Sequence, residues 1–178
     1  GGEGMDTISY TIAMEEISRA DASVGVIMSV NNSLVCSLLE KYATDIIKEK
    51  YLISLASGEK LGAFSLSEPQ SGSDASNMKT FAKKEGSYYI INGTKNWVTN
   101  GINADYILLF AMTEKDIGHK GISCFILEKG WEGFQTGHPE NKLGIRSSDT
   151  CEIYLDNVQV PEENLIGETG EGFKIALA

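Results

Sequence analysis

The sequence predicts an α+β fold: N-terminal helices, then an antiparallel β-sandwich or barrel, then the start of a further helical segment. Three observations predict it. Up to Gly58 the apolar residues recur every three to four positions, and beyond it they alternate. No segment of helix length separates the β-rich runs, which favours antiparallel pairing over βαβ units.

Asp6 is the N-cap of a first helix running to about Ala20, with Ile8, Ile12, Ala13 and Ile17 on its apolar face. A second helix follows at once, striped by Val24, Ile27, Met28, Leu34, Val35, Leu38 and Leu39. Thr44 caps a third, which ends at Ser57-Gly58. Strands are expected at Leu61–Ser67, Met78–Ala82, Tyr88–Ile91, Lys95–Val98, Tyr106–Met112, Ile122–Leu127 and Cys151–Leu155. Turns are expected at Pro69 to Asp74, Glu85-Gly86-Ser87, Asn92-Gly93 and Glu128 to Gly130. Phe173 to Ala178 opens a helical pattern that stops after one turn, while Gly1-Gly2-Glu3-Gly4 has loop chemistry, so a piece is expected to be missing on each side.

Composition narrows the function. The 178 residues suit one domain, two at most, and a 42% hydrophobic share is that of an ordinary folded chain. The net charge is -10 and the only arginines are Arg19 and Arg146, so no basic face is available for nucleic acid. The longest uninterrupted apolar run, Tyr106–Met112, is far short of the roughly 20 residues of a membrane helix, and no insertion is expected. Cys36, Cys124 and Cys151 lack zinc or redox spacing and read as small apolar fillers in a reducing compartment. The sequons at Asn31 and Asn92 carry little weight without a secretory route.

Two segments carry candidate chemistry. Phe64-Ser65-Leu66-Ser67-Glu68-Pro69-Gln70-Ser71-Gly72-Ser73-Asp74 is a strand running into a Ser/Gly-rich turn. It reads either as a nest of N–H groups and hydroxyls around an anion or as a solvated turn capped by Asp74. In Lys95-Asn96-Trp97-Val98-Thr99-Asn100-Gly101, the Trp97 indole either lies against a planar cofactor, with Thr99 bonding its edge, or fills the core. His119 and His138 have no partners at metal-ligand spacing, and no metal site is expected. Gly167-Glu168-Thr169-Gly170-Glu171-Gly172 lacks the strand-turn-helix context of a dinucleotide loop. Glu15-Glu16 and Glu162-Glu163 read as solvated pairs, Glu68 as a turn stabiliser, and no general base stands out.

Taken together with Asn92-Gly93-Thr94-Lys95-Asn96-Trp97-Val98-Thr99-Asn100, the Phe64–Asp74 segment resembles the flavin-binding middle domain of the acyl-CoA dehydrogenases. Lys120-Gly121-Ile122-Ser123, Lys142-Leu143-Gly144-Ile145-Arg146-Ser147-Ser148, Val160-Pro161-Glu162-Glu163-Asn164 and Gly170-Glu171-Gly172-Phe173 resemble later family motifs in the same order. Asp21 to Leu34 is most similar to the short-chain, butyryl-CoA type, and the resemblance implies that this helix walls the acyl pocket. It divides the chain into residues 1–58, the end of an N-terminal helical domain; 59–165, the middle β-domain; and 166–178, a linker with the start of a C-terminal helical domain.

The resemblance implies FAD, with Phe64, Leu66 and Ser67 against the isoalloxazine, Gly72 and Ser73 at the pyrophosphate, Trp97 and Val98 beside the flavin, and Thr99 bonding near N5. Ser73, His119 and Lys120 are the candidates for touching the CoA moiety of a short-chain acyl-CoA substrate. The family's catalytic glutamate lies in the C-terminal helical domain, so no catalytic residue is assigned within this chain, which is expected to be inactive alone. The resemblance further implies electron-transfer flavoprotein as acceptor, a homotetramer in the full-length form, and residence in bacterial cytoplasm or the mitochondrial matrix. An acyl-CoA oxidase, a dehydrogenase for branched or aromatic acyl groups, and a non-catalytic β-domain for binding or assembly remain open beside it.

Overall fold

The computed structural model describes residues 4–178. Helix α1, Thr7–Ala20, is capped by Asp6, whose carboxylate accepts from the Ser9 N–H at 2.9 Å. It buries no residue, and Ile8 and Ile12 of its apolar stripe are exposed. Asp21 caps α2, Ala22–Tyr42, by accepting from Ser23 N–H at 2.7 Å. Within α2, Val30–Cys36 winds as a π-helix, where the Ser37 N–H reaches back five residues to Asn32 O. Thr44 caps α3, residues 45–56, as its hydroxyl accepts from Ile47 N–H. At 21 residues and a mean hydropathy of 1.6, α2 has the length and composition of a membrane span, which counting uninterrupted runs overlooks. In the fold its Val35, Leu38 and Leu39 are core residues.

The strands are β1 Gly62–Ser65, β2 Phe81–Glu85, β3 Tyr88–Thr99, β4 Tyr106–Met112, β5 Ile122–Glu128, β6 Phe134–Thr136, β7 Thr150–Pro161 and β8 Leu165–Ile166, and helix α4, Gly172–Ala176, follows. They form one sheet in the order β6-β7-β3-β2-β4-β5-β8, with β1 beside β4. Most pairs are antiparallel, but β1 runs parallel to β4 from Gly62 opposite Tyr106 to Ser65 opposite Leu109, and β2 meets β4 in parallel at Phe81 and Met112. Antiparallel pairing predominates as expected, and the parallel contacts are connected through loops and the β2–β3 hairpin, without the α-helix of a βαβ unit.

Asn92-Gly93 is not a turn. Tyr88 to Thr99 is one strand with a bulge between Ile91 and Gly93, because Gly93, at φ +152°, packs where a Cβ would stand 2.7 Å from Thr80 Cα. The expected Met78–Ala82 strand starts later, at Phe81, and the strand at Cys151 extends through Pro161. The true hairpin turn is Gly86-Ser87, where Gly86 supplies the positive φ of +62°.

Alternate residues of β4 enter two cores. Ile107, Leu109 and Ala111 face an inner core with Val98, Phe125, Ile153 and Val158, while Leu108, Phe110 and Met112 face the helices with Val35, Leu39 and Tyr51. The sheet curls enough that Tyr89 of β3 and Phe125 of β5 meet edge to face at 4.9 Å across two intervening strands. Cys124 and Cys151 are buried fillers, and burial pushes the half-buried Cys36 thiol up to about 11.

Candidate cofactor cleft

Where α2 crosses the end of β1, a cleft of about 170 Å³ opens between helix and sheet. Phe64 and Leu66, two residues apart on one side of the chain, form its floor, and the Phe64 ring rests 5.0 Å from Phe110 beneath. Val30 and Leu34 of the π-helical turn form one wall, and Asn96, Trp97 and Thr99 of β3 form the other, with Ser67 between. The π turn places the two aliphatic side chains there while Asn31, on the opposite side, bonds to Leu55 O and Gly62 N–H.

The Trp97 wall is made by a second bulge in β3. Lys95 pairs with Ile153 and Val98 with Cys151, so three steps on β3 match two on β7. Asn96 N–H leaves the ladder and donates to Ser67 O at 2.8 Å, tying the two walls together. Trp97 takes φ +58°, rare for a bulky side chain, and remains 60% exposed. An indole and a phenyl ring beside two hydroxyls suit a planar heteroaromatic group with a polar edge.

Under the cleft lies an ion pair that the sequence pattern does not disclose. Lys95 Nζ donates to Glu68 Oε1 at 2.8 Å and to Leu66 O at 3.0 Å, and both side chains are buried. Glu68 also accepts from the backbone N–H groups of Lys79 (2.6 Å) and Thr80 (3.1 Å). Burial pushes the Lys95 ammonium down to about 8 against the attraction of Glu68. Burial acts to raise Glu68, but the Lys95 charge and the Lys79 N–H outweigh it and hold the carboxyl below its ordinary value. Its motif gives Lys95 no role of its own, and its partner Glu68 is 27 residues away in the chain.

The structure thus brings Phe64, Leu66, Ser67, Trp97 and Thr99 into one cleft. Val98 does not join them by its side chain, which is buried in the inner core; it adjoins the cleft only along the backbone between Trp97 and Thr99. Gly72 and Ser73 do not line the cleft and sit exposed beyond the tight Glu68–Ser71 turn, closed by reciprocal backbone bonds of 2.9 and 3.0 Å. His119 and Lys120 are exposed on the Gly118–Gly121 turn, with the His119 ring 5.1 Å from Phe173. The Ala75–Asn77 turn packs against that turn, so the Ser73 loop and His119-Lys120 share a corner outside the cleft. Val30 and Leu34 fall in the helix that the resemblance assigns to the acyl pocket, whereas Asn96 received no role from its motif.

Two family models match: "Acyl-CoA dehydrogenase, N-terminal domain" over residues 1–59 and "Acyl-CoA dehydrogenase, middle domain" over residues 63–158. A short-chain specific acyl-CoA dehydrogenase of Clostridium acetobutylicum is 49% identical over 99% of this chain and 47% of its own length. The butyryl-CoA dehydrogenase structure from Megasphaera elsdenii superposes with a TM-score of 0.96 at 45% identity, over 98% of this chain and 46% of that one. A structure of PigA with FAD and proline superposes at 0.87 with 30% identity, over 88% of this chain and 41% of that one. The chain spans just under half the length of the relatives it matches.

Proposed function

The chain belongs to the acyl-CoA dehydrogenase family, and on that premise we propose that it supplies the flavin cleft of a dehydrogenase for short-chain acyl-CoA thioesters. The product of the whole protein is the trans-2-enoyl-CoA. The family is flavin-dependent, and similar folds include an FAD complex. The observation that carries the reading is the convergence of Phe64, Leu66, Ser67, Trp97 and Thr99 on one cleft beside the α2 wall.

FAD, when bound, supplies the acceptor for the substrate's β-hydride. Phe64 and Leu66 give it an apolar floor, Trp97 an aromatic cover, and the Ser67 and Thr99 hydroxyls a hydrogen-bonding edge. The backbone at Gly72 and Ser73, free of bulky side chains, serves the pyrophosphate, and Ser73, His119 and Lys120 form the corner for the CoA nucleotide. Val30 and Leu34 limit acyl length from the helix side. The α-proton is removed by a glutamate of the C-terminal helical domain, outside these residues. Residues 1–58, 59–165 and 166–178 correspond to the end of the N-terminal helical domain, the middle β-domain, and the entry to the C-terminal helices. The full-length form is a homotetramer of bacterial cytoplasm or mitochondrial matrix that passes its electrons to an electron-transfer flavoprotein.

The test is to add FAD to the full-length apoprotein and record its visible spectrum, then to follow dye reduction and oxygen uptake with acyl-CoA esters of increasing length. A protein-bound flavin spectrum, fastest turnover with butyryl-CoA and little oxygen uptake are expected. Failure to bind flavin refutes the proposal, and rapid oxygen uptake in place of dye reduction makes the protein an oxidase.

A further inference from the structure

The buried pair under the cleft has more contacts than charge neutralisation requires. Lys95 Nζ spends one of its donors on the backbone carbonyl of Leu66, at 3.0 Å. Leu66 and Ser67 line the cleft, and Lys95 immediately precedes the Asn96-Trp97 bulge that forms the facing wall. Ser67 O in turn accepts from Asn96 N–H at 2.8 Å. Two hydrogen bonds, one from a side chain and one from the backbone, therefore span the same few ångströms between the two walls. Glu68, held by the Lys79 and Thr80 N–H groups, anchors the far side of the ammonium.

We propose that Lys95 is a positioning residue: its bond to the Leu66 carbonyl, braced by Glu68, sets the Leu66-Ser67 segment against the Asn96-Trp97 bulge and so fixes the shape of the cleft. The inference rests on the flavin reading above. A buried ion pair kept only for folding would be replaced by neutral side chains with little consequence for the cleft. Positioning predicts otherwise, because a neutral lysine still donates to Leu66 O and a methionine does not.

The test compares full-length Glu68→Gln, which retains the amine, with Lys95→Met/Glu68→Gln, which removes it; neither leaves an unpaired buried charge that cannot neutralise. FAD affinity and the resolution of the bound flavin's visible bands are read alongside melting temperature. The double variant is expected to bind FAD about tenfold more weakly than Glu68→Gln, with a shifted spectrum. Equal affinity and spectra in the two variants overturn the proposal. A folding-independent arm replaces Ser67 by its α-hydroxy acid, turning the Leu66 carbonyl into a weaker ester acceptor with both charges in place. The same spectral shift is expected, and an unchanged spectrum overturns the proposal. Wild-type protein that binds no flavin refutes the cofactor reading instead, so the two failures are distinguishable.

Discussion

Gly62→Ala tests how closely α2 must approach the sheet to form the cleft. Gly62 opens β1, donating its N–H to Asn31 Oδ1 at 2.9 Å and accepting from Asn100 Nδ2 at 3.1 Å. A Cβ built there stands 2.9, 3.0 and 3.1 Å from Val35 Cγ1, Cβ and Cγ2. Apolar carbons rest at about 3.5–4.0 Å, so the helix must lift by roughly 0.5–1 Å. Val35 is fully buried in α2 and, as a β-branched residue, has one strongly preferred rotamer, so it cannot turn aside. Overpacking of this kind costs about 1–3 kcal/mol. Val30 and Leu34 ride on the same helix, so the lift also widens the cleft and weakens FAD binding. Urea unfolding of the full-length protein, followed by circular dichroism, measures Gly62→Ala, Val35→Ala and the double variant. Val35→Ala removes the two clashing methyls and leaves only Cβ in close contact, so the double variant is expected to cost less than the sum of the singles by about 1 kcal/mol or more. Strictly additive costs, or a Gly62→Ala cost below about 0.5 kcal/mol, refute the argument that this contact sets the spacing.

Five further outcomes are expected. Lys95→Met strands the buried Glu68 and destabilises the full-length protein by about 3–5 kcal/mol in denaturant titration. Because Lys95 falls to about 8 in the fold against 10.5 ordinarily, the unfolded chain holds the extra proton between those values, and this group's contribution to stability rises with pH across that window. Subtracting the Lys95→Met profile from the wild-type profile displays that rise. The lowered Glu68 acts oppositely: its contribution is full above the unfolded value of 4.5 and disappears as pH falls through the lower folded value, so Glu68→Gln flattens the acid limb of the stability curve. Gly93→Ala, forced against Thr80 at φ +152°, lowers stability by at least about 2 kcal/mol in the same titration. The exposed Trp97 of the apoprotein emits at long wavelength and is quenched by added FAD, so Trp97→Phe is expected to remove part of the FAD-dependent quenching seen in the wild type; quenching that Trp97→Phe leaves unchanged removes the indole from the cofactor's surroundings.

What was legible in the sequence was what short-range chemistry decides. The Asp6 and Thr44 caps act over three residues, and each forms as expected. Strands β4 and β5, buried on both faces, announce themselves as apolar runs. Asn92-Gly93 misleads because its turn chemistry is overridden by Thr80, which leaves no room for a Cβ, and the strand bulges instead of reversing. The parallel β1–β4 contact and the two-residue β8 are stabilised by neighbours distant in sequence, which no local pattern encodes. At the cleft, Phe64, Leu66, Ser67, Trp97 and Thr99 followed from motif resemblance and share one site. Val98 does not enter it with its side chain because, lying between Trp97 and Thr99, it points to the opposite face of the strand, into the inner core.

Trp97 holds a backbone conformation that its own side chain disfavours. A left-handed φ for a non-glycine residue costs about 1–3 kcal/mol, and a side chain left 60% exposed recovers little of that through burial. Glycine would adopt the same backbone without strain. The bulge takes Asn96 and Trp97 out of the ladder with β7, and Trp97 and Thr99, two residues apart, reach the cleft while Val98 between them fills the core. The strain persists because contacts below the cleft over-determine it, with Asn96 N–H on Ser67 O and Lys95 on Leu66 O closing the walls from beneath. The indole is therefore held outward by residues whose own side chains meet little solvent, and a substitution at Lys95 reaches the cleft through backbone geometry.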